Sequence, residues 1–188
     1  MKFSLFEFVA FWATLLLEGR EGVPIHYEKA YRLAEIGDKK GCSACSGVLA
    51  RCLYNGKGCA QDKTLALQLA HKSAASGSHF GYFMVGWKNY DDGDYANAFQ
   101  MWQIAADLEL ATAQVNLGFM FANGEGVPKD ERKAFQLYQM AADKKHPEGY
   151  LNLSRMYFYG IGVKVDMDEA SRYSQLVRQA GNSKWLLA

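Results

Sequence analysis

The sequence predicts an all-α fold, a right-handed α-α superhelix (solenoid) of about five stacked helix-turn-helix repeats. Three observations predict it: alanines recur at intervals of 32 or 36 residues, each lies in the same repeated phrase, and most phrases contain paired glycines. A period between about 20 and 50 residues is typical of supersecondary units that bury their apolar faces against one another. The recurring alanines are Ala30, Ala66, Ala98, Ala134 and Ala170.

The phrase is clearest in the stretch 113–142. Leu117 and Met120 follow the spacing of one helical face, and Gly124 supplies the backbone freedom that ends this first helix. Asp130 is placed to cap a second helix through its side-chain oxygen. The stretch is therefore predicted to form a first helix, a glycine turn and a second helix.

The same frame divides the chain into repeats that vary in quality. The first repeat is degenerate, because His26 stands where the later repeats have a capping aspartate. The third is four residues shorter, which predicts a tighter turn at 90–94. We expect one repeat domain with units at approximately 1–41, 42–77, 78–109, 110–145 and 146–181, followed by a C-terminal cap at 182–188.

The repeated phrase resembles the Sel1-like repeat (SLR) family, a relative of tetratricopeptide repeats. Its units read roughly Ala-x-x-x-Leu-Gly, then Gly-x-Gly-Val, then Asp, then Ala and Ala-Ala. The resemblance covers nearly the whole chain, and the repeats that start near Thr112 and Glu148 match almost throughout. It implies an α-solenoid that acts as a scaffold, an adaptor or another partner-binding module.

Composition and charge agree with an ordinary folded array. The chain has 188 residues, of which 49% are apolar and 22% are charged, and its formal net charge is +1. Its basic residues are scattered, and Lys39-Lys40 and Lys144-Lys145 are short pairs in loops between repeats. This pattern opposes a nucleic-acid partner, because such proteins concentrate basic residues on one face.

Signatures of catalysis are missing from the sequence. There is no Gly-x-Ser-x-Gly elbow, no His-Glu-x-x-His, no Ser-x-x-Lys and no phosphate-binding loop. The histidines fall in different repeats with no spacing that would build a ligand set. We therefore expect no enzyme activity, no cofactor and no metal site.

Four cysteines crowd into the second repeat, and the spacing Cys42-Ser-Ala-Cys45 leaves metal or redox chemistry open. The repeat register favours another interpretation. Cys45, Cys52 and Cys59 align with small or apolar core positions, where free cysteine acts as a small hydrophobic residue. We expect structural thiols. Some secreted members of the family that the chain resembles carry a regular cysteine pair in each repeat, which this chain lacks, and this departure favours a reducing compartment.

The N-terminus resembles a secretory signal, since Met1-Lys2 precedes an apolar stretch that ends at Leu17. Glu7 interrupts the stretch, and no small-x-small cleavage site follows it. An uncharged span between Glu7 and Glu18 is too short to cross a membrane. We expect a structural helix and a cytoplasmic protein, and a periplasmic or secreted location if the segment is a signal.

Resemblance to tetratricopeptide arrays implies that one stripe of each first helix lines a concave groove. The stripe comprises the positions two before, two after and five after that of Leu117. Its aromatic residues are of the types enriched at binding hot spots, but such residues also pack between successive helices, and both interpretations stay open. The full stripe is Phe11, Leu15, Glu18, Gly47, Arg51, Tyr54, Phe83, Trp87, Tyr90, Val115, Phe119, Ala122, Leu151, Arg155 and Phe158.

We predict a non-catalytic protein–protein interaction module that binds a protein or peptide in this groove. The resemblance implies two alternatives, an immunity protein that blocks a bacterial secreted toxin and, more remotely, an enzyme of cell-wall or lactam chemistry. The apolar segment Trp185-Leu186-Leu187 either caps the last helix pair or mediates self-association. The predicted partner-binding residues are Arg51, Tyr54, Phe83, Trp87, Tyr90, Phe119, Leu151, Arg155 and Phe158.

Overall fold

The structure, a computed structural model, describes residues 5–19 and 23–180, apart from the side chains of Leu5 and Glu7. Within this part of the chain there are ten α-helices and no strands, which confirms the predicted all-α repeat fold. The helices are α1 (Leu5–Glu18), α2 (Tyr27–Lys39), α3 (Ser43–Asn55), α4 (Lys63–Ala75), α5 (His79–Asp91), α6 (Tyr95–Asp107), α7 (Ala111–Asn123), α8 (Glu131–Asp143), α9 (Pro147–Tyr159) and α10 (Met167–Gln179).

The chain forms two compact units, Met1–Gly93 and Asp94–Ala188. In the amino-terminal unit, α1 packs on α2 and α3, and α3 packs on α4 and α5. In the carboxy-terminal unit, α6, α7, α8 and α9 each pack on the next helix along the chain. The division falls within the predicted third repeat, between its first and second helices, and the single repeat domain stays a prediction.

The recurring alanines lie in the core of their units. Four of them have no exposed surface and Ala170 is 4% exposed, so each second helix approaches its neighbour through a methyl group. In the carboxy-terminal unit Ala134 belongs to a cluster with Tyr138, Leu153 and Met156. The register read from the sequence therefore identifies the contact face of each second helix.

Capping follows the predicted frame. The carboxylate of Asp130 accepts a hydrogen bond from the Lys133 backbone N–H at 3.0 Å, and Asp62, Asp94 and Asp166 cap α4, α6 and α10 in the same way. In the degenerate first repeat, His26 Nδ1 accepts from the Lys29 N–H at 3.5 Å. The histidine therefore keeps the role of the aspartate with a longer bond.

Glycine turns end three of the first helices. Gly56, Gly124 and Gly160 have φ of 64°, 75° and 70°, a left-handed conformation that costs glycine little. The shortened third repeat has its tighter turn, since α5 ends at Asp91 and α6 begins at Tyr95. Gly93, at φ 81°, completes this turn.

The cysteines differ from the prediction. Cys42 and Cys45 form a disulfide at the start of α3, so the prediction of reduced thiols is wrong for this pair. Because Cys42 is the N-cap residue and Cys45 lies in the first turn, the two side chains meet on one side of the helix. Cys52 and Cys59 are free thiols, and Cys52 is buried as its register predicts. The cellular compartment stays a prediction.

The N-terminal segment is helical from Leu5, and α1 buries Ala10, Ala13 and Leu17 within the amino-terminal unit. Among the described residues, no helix combines the length and apolar character needed to span a membrane. The predicted C-terminal cap at 182–188 lies outside the described residues.

Candidate functional site

The predicted stripe divides between the two units. We call the part on α1, α3 and α5 the amino-terminal stripe, and the part on α7 and α9 the carboxy-terminal stripe. The amino-terminal stripe consists of Phe11, Leu15, Glu18, Gly47, Arg51, Tyr54, Phe83, Trp87 and Tyr90. The carboxy-terminal stripe consists of Val115, Phe119, Ala122, Leu151, Arg155 and Phe158.

Charge in the amino-terminal stripe is neutralised internally. Arg51 Nη1 on α3 donates to Glu18 Oε1 on α1 at 2.5 Å, and the side chains of both residues are largely buried. The Arg51 guanidinium also lies 5.9 Å from the centre of the Phe83 ring on α5. This arginine therefore links three first helices and is not available as an uncompensated charge.

Most aromatic side chains of the amino-terminal stripe are buried or half-buried, whereas Phe11 on α1 is 43% exposed. Tyr54 is 4% exposed and Phe83 3%, while Trp87 and Tyr90 are half-buried. The rings of Phe83 and Trp87 lie 6.0 Å apart. The packing interpretation thus suits Tyr54 and Phe83, and the exposed aromatic surface of this stripe comes from Phe11 and from parts of Trp87 and Tyr90.

A second polar cluster lies at the end of this stripe. The Tyr54 hydroxyl donates to Asp91 Oδ2 at 2.6 Å, and Lys63 Nζ lies 3.8 Å from the same oxygen. Burial, followed by the hydrogen bond to Asp91, raises the pKa of Tyr54 above its usual value. The phenol is therefore held in its neutral form as a hydrogen-bond donor.

The carboxy-terminal stripe has a different surface. Phe119 is 44% exposed and Phe158 is 49% exposed, and Arg155 is also exposed. Leu151 is half-buried, whereas Val115 is buried in the core. This stripe therefore combines large exposed rings with a cation.

Arg155 lies near the place where α7, α8 and α9 pack together. The Tyr138 ring of α8 covers Gly118 of α7 so closely that a Cβ there would approach Tyr138 Cε1 to 2.6 Å. Burial raises the pKa of Tyr138, and the nearby Arg155 charge partly opposes this shift. Within the described part of the chain, the Arg155 guanidinium makes no hydrogen bond or ion pair.

Two features of these surfaces were not predicted. Tyr159, next to Phe158, is 68% exposed, and the two rings meet edge to face with centres 4.8 Å apart. On α1, the exposed rings of Phe8 and Trp12 lie 6.1 Å apart, outside the predicted stripe. The i, i+4 spacing of this second pair is visible in the sequence, but the exposed side of a terminal helix is not.

Potential metal ligands are dispersed across the described residues. No group of three or more histidine, cysteine, aspartate or glutamate side chains is placed there to hold a metal ion. The carboxy-terminal stripe exposes aromatic and cationic side chains, Phe119 on α7 and Arg155 and Phe158 on α9.

The helix pairs, their alanine contacts and their glycine turns define a helical repeat protein. Comparison with protein-family models assigns the repeats, with matches over residues 48–78, 81–110, 111–146 and 147–181. The chain belongs to the Sel1 repeat family. Sel1 repeats are protein-interaction modules, and the predicted family is confirmed.

Solved structures share the fold. A Sel1 repeat protein from Oxalobacter formigenes is 24% identical at a TM-score of 0.69, with 93% of this chain and 70% of that chain covered. A protective antigen of uropathogenic Escherichia coli with an SLR fold is 26% identical at a TM-score of 0.64. That match covers 94% of this chain but only 38% of the antigen's length.

A more distant likeness is to an immunity protein from Pseudomonas aeruginosa, which is 15% identical at a TM-score of 0.55. The match covers 96% of this chain and 84% of that chain, and at this identity it establishes the fold alone. None of the curated proteins is similar enough in sequence to match the chain.

Proposed function

We propose that this protein is a non-catalytic module that binds a segment of a partner protein on the carboxy-terminal stripe. The observation that carries the proposal is the exposure of Phe119 and Phe158 at positions where the amino-terminal unit has engaged side chains. Aromatic side chains bury a large apolar area and are enriched among the residues that dominate binding energy.

Each part of this stripe has a role in the proposal. The rings of Phe119 and Phe158 receive apolar side chains of the partner, and Leu151 extends that surface along α9. Arg155 supplies the charge. In the amino-terminal unit, Trp87 and Tyr90 contribute their exposed edges to a second, smaller contact.

Other residues of the predicted site hold the amino-terminal unit together. Tyr54 and Phe83 fix the packing of α3 and α5, and Arg51 holds α1 through Glu18. Their substitution is expected to weaken the fold of the amino-terminal unit before it affects binding. The binding test is therefore made on the carboxy-terminal stripe.

A pull-down from a lysate of the source organism tests the proposal. The stripe variant carries Phe119→Glu and Phe158→Glu, which place charge on the proposed surface. The control variant carries Met140→Glu and Met167→Glu, two similarly exposed apolar residues on second helices. We expect wild type and control to retain a partner that the stripe variant loses.

Circular dichroism and a thermal melt establish that both variants are folded before capture is compared. Equal capture by all three proteins would refute binding at the stripe. Loss of the partner from the methionine variant alone would move the binding surface to the second helices.

The alternative function, which would use the same surface, is that of an immunity protein. Plugging the active site of a secreted toxin would also use exposed rings and a cation against a concave partner. The two functions differ in the captured protein: an inhibitor lowers the activity of a toxin that it binds, whereas an adaptor leaves its partner active. An assay of the captured partner with and without this protein separates them.

A further inference from the structure

Two arginines occupy the same position of the stripe, in the second and the fifth repeats. Arg51 lies on α3 and Arg155 on α9, and each follows the first residue of its helix by eight positions. The repeats share one register, so the stripe positions next to each arginine can be compared in the sequence. The packing differs, because α3 packs on the first helices α1 and α5, whereas α9 packs on the second helices α8 and α10.

Arg51 pairs with a carboxylate within the amino-terminal unit. Its guanidinium is bonded to the carboxylate of Glu18, which comes from the third stripe position of the preceding repeat. The Phe83 ring then lies against the same guanidinium. A planar cation next to an aromatic face and a carboxylate is a favourable and directional arrangement.

The corresponding carboxylate is replaced in the fifth repeat. The third stripe position of the preceding repeat is Ala122, whose methyl group accepts no hydrogen bond. Arg155 accordingly forms no ion pair or hydrogen bond in the part of the chain that the structure describes. The cation is exposed where the amino-terminal unit has an internal salt bridge.

Apolar surface accompanies this cation on the same face of α9. Leu151 lies one turn before Arg155 and Phe158 one turn after it, and Phe119 occupies the same stripe position as Arg155 on α7. A ligand that suits this face therefore needs an acceptor of negative charge together with apolar side chains.

We infer that the partner segment is an acidic peptide, in which an aspartate or glutamate binds Arg155 and adjacent apolar residues cover Phe158 and Phe119. This inference rests on the function proposed above and names the chemistry of the partner. A carboxylate is favoured over a phosphate because the chain's own arginine at this position binds a carboxylate, and because the basic residues do not cluster.

Selection from a phage-displayed library of random peptides tests the inference on the full chain. Four proteins are compared: wild type, Arg155→Gln, Ala122→Glu and the control Arg178→Gln, which removes an exposed arginine from α10. We expect wild type and the control to enrich peptides that pair Asp or Glu with apolar residues. Arg155→Gln should lose the acidic preference, and Ala122→Glu should also lose it, because its carboxylate takes the guanidinium.

One selected peptide is then synthesised with a fluorescein label and titrated by fluorescence anisotropy. We expect Arg155→Gln to bind it about tenfold more weakly than wild type. A charge exchange separates recognition from a structural effect. The Arg155→Glu variant should bind a peptide in which lysine replaces the acidic residue better than it binds the selected acidic peptide. Loss of folding cannot produce that reversal.

The outcomes distinguish this inference from the proposed function. If Arg155→Gln still enriches acidic peptides, or if the charge exchange restores no binding, the role of Arg155 is overturned. Binding on the aromatic side chains is not affected by that result. Enrichment of peptides rich in lysine or arginine by wild type overturns the role of Arg155 as well. Failure of wild type to enrich any peptide above the empty support overturns both.

Discussion

The salt bridge between Glu18 and Arg51 is predicted to stabilise the amino-terminal unit measurably. The side chains of Arg51 and Glu18 are only 21% and 10% exposed, and their charged atoms lie 2.5 Å apart. Glu18→Gln or Arg51→Met leaves the other charge largely buried without its counterion. Each single variant should therefore lose more stability than an ordinary surface substitution.

The expected loss of stability in each single variant lies between the values for a fully buried and for an exposed ion pair. Removing one partner of a fully buried pair costs about 3–5 kcal/mol, and an exposed pair contributes about 0–1 kcal/mol. With Glu18 nine-tenths buried, we expect each single variant to lose about 2–3 kcal/mol. The double variant relieves part of the penalty, so the coupling energy should be about 1–2 kcal/mol.

Urea unfolding of wild type, both single variants and the double variant gives this coupling energy from a double-mutant cycle. The exposed pair Glu35–Lys39 on α2, with 3.2 Å between Oε1 and Nζ, serves as the control. Its cycle should give a coupling below about 0.5 kcal/mol. Additive losses at Glu18 and Arg51 would refute the view that this stripe position holds a carboxylate.

Three further predictions concern the repeat framework. Ala134→Leu should overpack the helix contact and lower the stability measured in a thermal melt by about 1–3 kcal/mol. Ala96 is exposed, so Ala96→Leu should leave the melting temperature unchanged. Equal melting temperatures for the two variants would refute close packing at Ala134. Lys145 has φ 57°, so Lys145→Gly should stabilise the fold in urea by up to about 1 kcal/mol, whereas Lys144→Gly, at φ −86°, should bring no gain. Burial raises the pKa of the Cys52 thiol to about 12. The stabilisation from the buried neutral thiol is therefore complete below about pH 9, where the thiol of the unfolded chain is also protonated, and is lost between about pH 9 and 12. Cys52→Ala should flatten this alkaline decline in the free energy of unfolding.

The fold could be predicted from sequence because its determinants are local and repeated. Ala134 and its equivalents mark the buried face of each second helix, and Asp130 and its equivalents mark each helix start. These features recur with one register, so each repeat supports the assignment of the others. The first repeat can be assigned from the sequence because Ala30 keeps the register, although His26 replaces the aspartate. The structure shows that His26 still caps α2.

The site was harder to predict, because burial at a stripe position depends on the neighbouring helices. Phe83 and Phe119 occupy different positions of the stripe, and both fit either packing or binding when only the sequence is known. In the structure Phe83 lies against Arg51, whereas Phe119 is exposed. The pairing of Arg51 with Glu18 joins residues 33 positions apart, and no periodic pattern in one helix reveals it.

The disulfide was missed for a related reason. Core alignment treats Cys45 as a substitute for alanine and takes no account of Cys42, which lies outside the helix as its N-cap. The separation of three residues at a helix start is the signal that brings these two sulfurs together. Weighing that local geometry before the repeat register would have favoured the disulfide.

Photocrosslinking in cells of the source organism tests most directly whether the carboxy-terminal stripe is the binding surface. Benzoylphenylalanine replaces Phe119, Phe158, Met140 or Met167, one position at a time, and adducts are identified by mass spectrometry. We predict that Phe119 and Phe158 yield adducts with the same partner protein and that the two methionine positions yield none. Adducts formed only from Met140 or Met167, or no adduct from either phenylalanine position, would contradict the account.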